Sequence, residues 1–301
     1  MTGWRNRTAV LALFAIIGGV LLGLFYALFA MGLNIVFGVQ RIINLAHGDV
    51  VMLGGFAAWD LYSALHMSPV LAAVIVLPFG VAVGYGFHRL VVPRLARARD
   101  IETMSLVLFF GISQVIEALG AIGFGPNERT LPIAALPSHP IRFLGESYPA
   151  YLWIVGAVSL PLLVLFLLYL YRTPLGLETR AVMADAREAL AVGIDTRRIS
   201  AITFGVGIAL AAAAGVLAIV VFSGVDPSEG ASLTITAFAI IVFGSLGNPI
   251  GTIVAGIAFG VLSQLAQVYL PEWSNLVPYV LVLGTMLLRP EGLFGRRARV
   301  A

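Results

Sequence analysis

The chain has 301 residues, of which 60% are hydrophobic and 11% charged, with a formal net charge of +3. A soluble domain carries about a quarter charged residues; with a mean hydropathy of +1.00, this composition excludes a water-soluble fold and predicts an all-α, polytopic helical integral membrane protein. The absence of cysteine excludes disulfides and thiolate metal sites, and the 18 basic residues, all Arg, flank apolar runs rather than gathering for nucleic acid.

A spanning helix needs about 20 apolar residues. In chain order the candidate membrane segments are 9–30, 31–46, 49–66, 69–90, 103–124, 149–171, 201–224, 231–246, 249–270 and 274–289. About eight spans are expected, and six to ten are compatible with the pattern. Thr8–Gln40 and Gly230–Pro271 are each too long for one span, so each is expected to hold a span and a second segment. Ala27-Leu-Phe-Ala30 has the look of a signal-peptide cleavage site, but the apolar run before it is too long for such a peptide, which predicts a retained first span. Segments 31–46 and 231–246 are short and bordered by Gly or Pro, and read as full spans, broken helices or re-entrant elements near 31–49 and 231–251. Ser68-Pro69 and Asn248-Pro249 each place a capping side chain before a proline at the first helical position. Asp49, after Gly48, fits an N-cap as well.

Basic residues orient the chain, since cytoplasmic loops carry the excess of Arg. Arg5 and Arg7 precede the first segment; Arg89, Arg94, Arg97 and Arg99 follow the fourth. Arg172, Arg180, Arg187, Arg197 and Arg198 lie in the 172–200 loop, and Arg296, Arg297 and Arg299 close the chain. An even number of crossings between these clusters puts both termini and the 172–200 loop in the cytoplasm. Residues 125–148 then form a periplasmic loop with room for a short helix. Ile35-Val-Phe-Gly38 recurs as Ile241-Val-Phe-Gly244, a faint internal repeat. Paired interrupted segments in two halves of a transporter point to its path.

Arg41, Asn44, His47, Gly48 and Asp49 form a polar group in a region otherwise free of charge. Charge inside a membrane costs about 2.5–3.5 kcal/mol on insertion scales, so such groups face protein, water or a partner. Asn44 and His47, three apart, share a face if helical. Two readings stay open: a polar lining for a permeating solute, or a helix break at the interface with Asp49 as cap and Arg41 reaching for water. One His and one Asp supply too few ligands for a metal. Gly205, Gly207 and Gly215, with neighbouring alanines, make a small-residue face for close helix packing. Glu117, with Gln114 three residues earlier, and Asp60 are membrane-embedded acids open to a functional or a packing role.

Arg180–Gly193 is a charged, Ala-rich segment between apolar runs, carrying Arg180, Asp185, Arg187, Glu188 and Ala189. Ala favours helix and Gly193 fits its stop. Its apolar residues Ala181, Val182, Ala189, Leu190 and Val192 are free for a partner groove, or for a membrane surface.

Several stretches carry a family resemblance. Gly32–Asp49, with Ile43-Asn-Leu-Ala-His-Gly-Asp49 at its end, resembles the opening motif of the permeases of high-affinity branched-chain amino acid ABC importers, in the shorter of their two types; Leu45 stands where the family has Phe. Glu188-Ala189 followed by Gly193 resembles the Glu-Ala-Ala-x-x-x-Gly coupling signature. Phe243–Gly251, with Gly244, Gly247, Asn248 and Gly251, resembles the family's Gly-rich break, and Leu288–Gly295 its Arg-Pro-x-Gly-Leu-Phe-Gly ending. The motifs run in family order from about residue 20 to 295.

The resemblance implies one transmembrane permease domain over residues 1–301 in a bacterial inner membrane, with 172–200 as its cytoplasmic coupling loop. It implies a second homologous permease, two cytoplasmic ATPase subunits and a periplasmic substrate-binding protein. A small zwitterionic amino acid would cross between the permeases. No cofactor is expected on this chain, because it lacks lysine and therefore a Walker phosphate loop; ATP is bound by the partners. Urea or short amides remain alternative substrates within the family. Outside it, the alternatives are an ion-coupled amino acid transporter using Glu117, Asp60, His47 and Asp49, and a membrane scaffold. The first transports without an ATPase, and the second shows no flux dependence on 41–49.

Overall fold

The computed structural model describes residues 2–95, 100–132, 139–143 and 146–295, with backbone alone for 2–10. Arg97, Arg99, Arg296, Arg297 and Arg299 of the basic clusters lie outside the described residues. Among the described residues eleven α-helices follow in order: α1 Thr2–Gln40, α2 His47–Leu65, α3 Pro69–Leu95, α4 Ile101–Phe124, α5 Ala150–Arg172, α6 Pro174–Ala184, α7 Ala186–Ala191, α8 Thr196–Val221, α9 Gly230–Gly244, α10 Pro249–Tyr269 and α11 Val277–Leu288. Six are long and apolar enough to cross a membrane: α1, α3, α4, α5, α8 and α10. The protein is a polytopic helical membrane protein, as the composition predicts. Between α4 and α5 the described residues hold no helix but a two-stranded antiparallel hairpin, β1 Ile141–Phe143 on β2 Glu146–Tyr148.

Local sequence sets most helix starts. Asp100, Thr173, Asp185, Asp195 and Asn248 each accept a hydrogen bond from a backbone N–H in the first turn of the helix that follows, satisfying donors that would otherwise be orphaned. Pro174 and Pro249 follow two of these caps, at positions where a missing N–H costs nothing.

The centre of the bundle is α8, buried along most of its length. Lipid offers no hydrophobic drive between helices, so association depends on close van der Waals packing through small residues. Gly205, Gly207 and Gly215 supply it: a Cβ at each would run into the backbone of Val81 on α3, Gly32 on α1 and Val51 on α2, respectively. The second seam joins α1 to α10 in antiparallel fashion, Gly23 against Ile257 and Gly256 against Ala27. A large residue at Gly215 or Gly256 would force these backbones apart.

Helix α1 differs from expectation. It runs unbroken for 39 residues, about 58 Å at 1.5 Å per residue; the 9–30 segment and residues 31–40 form one helix, and the break, at 41–46, falls within the 31–49 stretch where an interruption is expected. Gly32, which looks like a helix breaker, is instead a contact point for Gly207.

The N-terminal part of α1 passes β2, where Phe14 stacks on Tyr148 at 4.7 Å. Its other end lies beside the 172–200 loop, where Gln40 Nε2 donates to the Ser200 carbonyl at 3.0 Å. The last described residues also pack at the loop end, Leu293 N–H bonding the Phe243 carbonyl. The N-terminal part of α1 and the last described residues therefore lie at opposite ends of the bundle.

Candidate functional site

After Gln40 the chain turns at Arg41, whose φ of 55° is left-handed, and runs in non-helical form through Asn44. It climbs back along α1: His47 Nε2 lies 2.9 Å from the Phe29 carbonyl, eleven residues and about 16 Å of helix above Gln40. Helix α2 thus begins inside the bundle. Helix α9 begins at the same depth from the other side, where the 222–229 segment returns inward after pairing Val225 with Arg129. The N-termini of α2 and α9 meet. Gly48 N–H donates to Thr234 Oγ1 at 2.8 Å, and Thr234 Oγ1 also lies 2.9 Å from the Leu45 carbonyl and 3.0 Å from that of Gly230. A Cβ at Gly48 would collide with the Gly230 carbonyl, and one at Gly230 with the Asp49 carboxylate, so only glycine admits this approach.

Asn44, His47 and Asp49 are 2%, 2% and 1% exposed and lie in the segment that leads into and opens α2 at this junction. Their roles differ from the expected ones. Asn44 is not helical and shares no helix face with His47; its Oδ1 accepts from the Ala46 N–H at 3.0 Å. Asp49 is not an N-cap, for Ala46 holds that position without a side-chain bond, and Asp49 sits in the first turn. There its carboxylate meets the positive ends of two helix dipoles. Ser113 and Glu117 face it from α4, yet no hydrogen bond of ordinary geometry reaches its Oδ2. Arg41 stands apart, exposed at the end of α1 with its guanidinium 5.7 Å from the centre of the Phe37 ring. Asp60 is exposed near the far end of α2, and Glu117 accepts from Gln114 Nε2 at 3.3 Å.

The second break, between α9 and α10, lies at the loop end. Gly247 has a φ of 76° and donates its N–H to Asn34 Oδ1 of α1 at 2.6 Å. Gly244 and Gly251 press backbone to backbone, and Asn248 Oδ1 caps α10 through the Gly251 N–H. The chain ending seals this break: Ser245 Oγ donates to the Glu291 carbonyl at 2.8 Å and accepts from the Phe294 N–H at 3.1 Å. Thr234, Gly230 and Asn34 hold these two breaks and were not singled out in the sequence; Asn34 carried a signal there, an amide within an apolar run.

The 172–200 loop is two helices, α6 and α7, not one. Asp185 separates them, ending α6 and capping α7 through the N–H groups of Arg187 and Glu188 at 2.7 and 3.1 Å. Those N–H groups, Glu188's foremost, hold its carboxyl below the usual carboxylate range. Gly193, with a φ of 91°, ends the turn after α7. Ala189 and Val182 point inward, forming a small cluster with Val39 and Ile199. Arg180 also turns inward, its Nε donating to the Leu170 carbonyl at 3.1 Å. The outward surface carries Arg187 and Glu188, with Leu190 and Val192 61% and 77% exposed. Among the described residues no group of three or more His, Cys, Asp or Glu stands where it could hold a metal ion.

Comparison with known proteins agrees with this architecture. The family described as branched-chain amino acid transport system, permease component, matches residues 15–286. The chain is 29% identical to the high-affinity branched-chain amino acid transport system permease protein LivH of Escherichia coli K12, covering 92% of this chain and 94% of that one. It is 28% identical to BraD of Pseudomonas aeruginosa, a permease protein of the same description, over 93% and 95% of the two chains. It is also 25% identical to the LivM permease of Escherichia coli K12, over 90% of this chain and 68% of LivM. No solved structure matches. The chain belongs to the branched-chain amino acid transport permease family and is a permease subunit of an ABC importer.

Proposed function

We propose that the chain translocates branched-chain or related amino acids across a bacterial inner membrane. A periplasmic binding protein delivers the substrate, and two cytoplasmic ATPase subunits bind the ATP and drive the cycle through the 172–200 loop. The substrate class follows from the relatives' names. That one organism holds both a LivH and a LivM relative of this chain supports a second, homologous but different permease as partner. With the loop cytoplasmic, the β1–β2 hairpin faces the periplasm.

The observation that carries the path assignment is the meeting of two helix N-termini at Gly48, Asp49 and Gly230. Interrupted helices whose positive ends converge inside a membrane suit a zwitterion: the helix ends favour its carboxylate and Asp49 its ammonium. The junction is packed shut here, so it acts as a gate as well as a lining, with the Gly244–Gly251 break as its counterpart at the loop end.

Uptake of labelled leucine into vesicles carrying the full complex, normalised to assembled protein, tests this reading. Excess valine or isoleucine should compete, and urea or acetamide should not. Asn44→Leu and Asp49→Asn should each lower uptake while the complex still assembles. Parental uptake by both variants would make the junction structural and move the path to the Gly244–Gly251 break.

A further inference from the structure

We propose that Met183 is the strut through which movement of the 172–200 loop reaches the break between α9 and α10. The inference rests on the reading of that loop as the ATPase dock.

Five observations converge on this side chain and its seat. The loop has its own apolar cluster of Val39, Val182, Ala189 and Ile199, which grips the end of α1 and the start of α8. Met183 packs against both that cluster and the main core of the bundle. Its methyl rests over the bare backbone of Gly38, where an added Cβ would lie 2.7 Å from Met183 Cε. The same Cβ would lie 3.1 Å from Gly247 Cα, so thioether and break share one seat on α1. One turn back on the same face of α1, Asn34 holds the Gly247 N–H at 2.6 Å.

The chain of contacts is short: loop, Met183, Gly38, Gly247, with Asn34 anchoring the last link. An unbranched, polarisable Met keeps contact while its neighbours shift, which suits a part that transmits rather than locks. Packed interiors pass displacement on because they hold few voids to absorb it. Gly38 must lack a side chain for the strut to sit, and Gly247 must lack one because its φ is positive.

The test uses the full importer in vesicles and reads three quantities: ATPase subunit retained, ATP hydrolysed and substrate moved per ATP. Met183→Ala shortens the strut but leaves the outward residues Glu188, Leu190 and Val192 in place. Retention and hydrolysis should persist while substrate moved per ATP falls about fivefold or more, the scale of a typical coupling between sites. Met183→Leu, which conserves volume, should restore the ratio. Gly38→Ala fills the seat of the Met183 methyl and should lower the ratio too, and its combination with Met183→Ala should be clearly non-additive. An unchanged ratio in Met183→Ala, or simple additivity in the double variant, overturns the strut. Failure of the docking reading looks different: a Cys at Leu190 then captures no ATPase subunit even in the parental background.

Discussion

Gly48 of α2 donates its backbone N–H to the hydroxyl of Thr234 on α9, 186 residues away in sequence, at 2.8 Å. The bond ties two helix N-termini that enter the bundle from opposite ends. It satisfies a donor that the α2 start leaves free, and the same hydroxyl lies within hydrogen-bonding distance of the Leu45 and Gly230 carbonyls. Thr234 is therefore the pin of the closed junction.

Thr234→Val keeps the shape and removes the hydroxyl. The buried Gly48 N–H then lacks a partner, at a cost of about 1–3 kcal/mol. The variant should assemble with a lowered Tm and reduced uptake, and Thr234→Ser should recover most of both. Thermal melting of the purified complex and uptake in vesicles check this. Equal behaviour of the Val and Ser variants would remove the pin.

Ala189 and Leu190 are neighbours with opposite placements, 3% and 61% exposed. A Cys at Leu190 or Val192 should cross-link to an ATPase subunit, and a Cys at Ala189 should not. Glu188→Arg should abolish uptake with the permease still in the membrane. Efficient capture from position 189 would mean the loop surface is assigned the wrong way round.

Asp185 caps α7 in its charged form, with its pKa held below the usual value by the N–H groups of Glu188 and Arg187. A lowered folded-state pKa means that its contribution is complete above the ordinary Asp value near 3.8 and is lost as pH falls through the lowered one. Retention of the ATPase subunits should therefore be flat on this account from neutral pH down to about 5. Asp185→Asn, which caps nearly as well, should keep retention, whereas Asp185→Ala should weaken it at every pH. Co-purification across a pH series reads the result.

If the 172–200 loop is cytoplasmic, as proposed, the unbroken α1 leads its N-terminal part to the opposite side of the membrane. A reporter active only in the periplasm should be silent after Gly295 and active at His139. Placed ahead of Thr2, it should behave as at His139. Silence at the N-terminal position with activity at His139 would restore the even crossing number and break α1.

Helices and their caps were legible because apolar runs, Asp or Thr caps and Pro174 or Pro249 are local signals. The first break falls inside the 31–49 stretch, but its place within it was not legible, since Gly32 and Gly38 serve close packing, one against Gly207 and one beneath Met183. Glycine marks a turn and a contact alike, and only the distant partner decides which. The polar group at 41–49 was visible as charge in an apolar setting, but its Arg41 belongs to the surface. Asp49 meets α9 at Gly230, while His47 reaches the Phe29 carbonyl of α1 and Asn44 the Ala46 N–H, and no local pattern announces the α9 contact. Thr234 reads locally as a hydroxyl bonding back to the Gly230 carbonyl four residues earlier, a common habit of Thr in helices, and that masks its bond to Gly48. Ala189 fits either side of a helix, and its inward turn depends on Val39, far back along the chain, and on Ile199 of α8.

The most direct test of the gate is labelling of a single Cys at Asn44, feasible because the chain has no native cysteine. Asn44 is buried at rest, and a thiol reacts only where reagent and water can reach it. In vesicles carrying the full importer, a water-soluble thiol reagent should leave this Cys unmodified at rest. It should modify the Cys rapidly once ATP and loaded binding protein are both present. A labelling rate that does not change between the two conditions would contradict a gate at the α2–α9 junction.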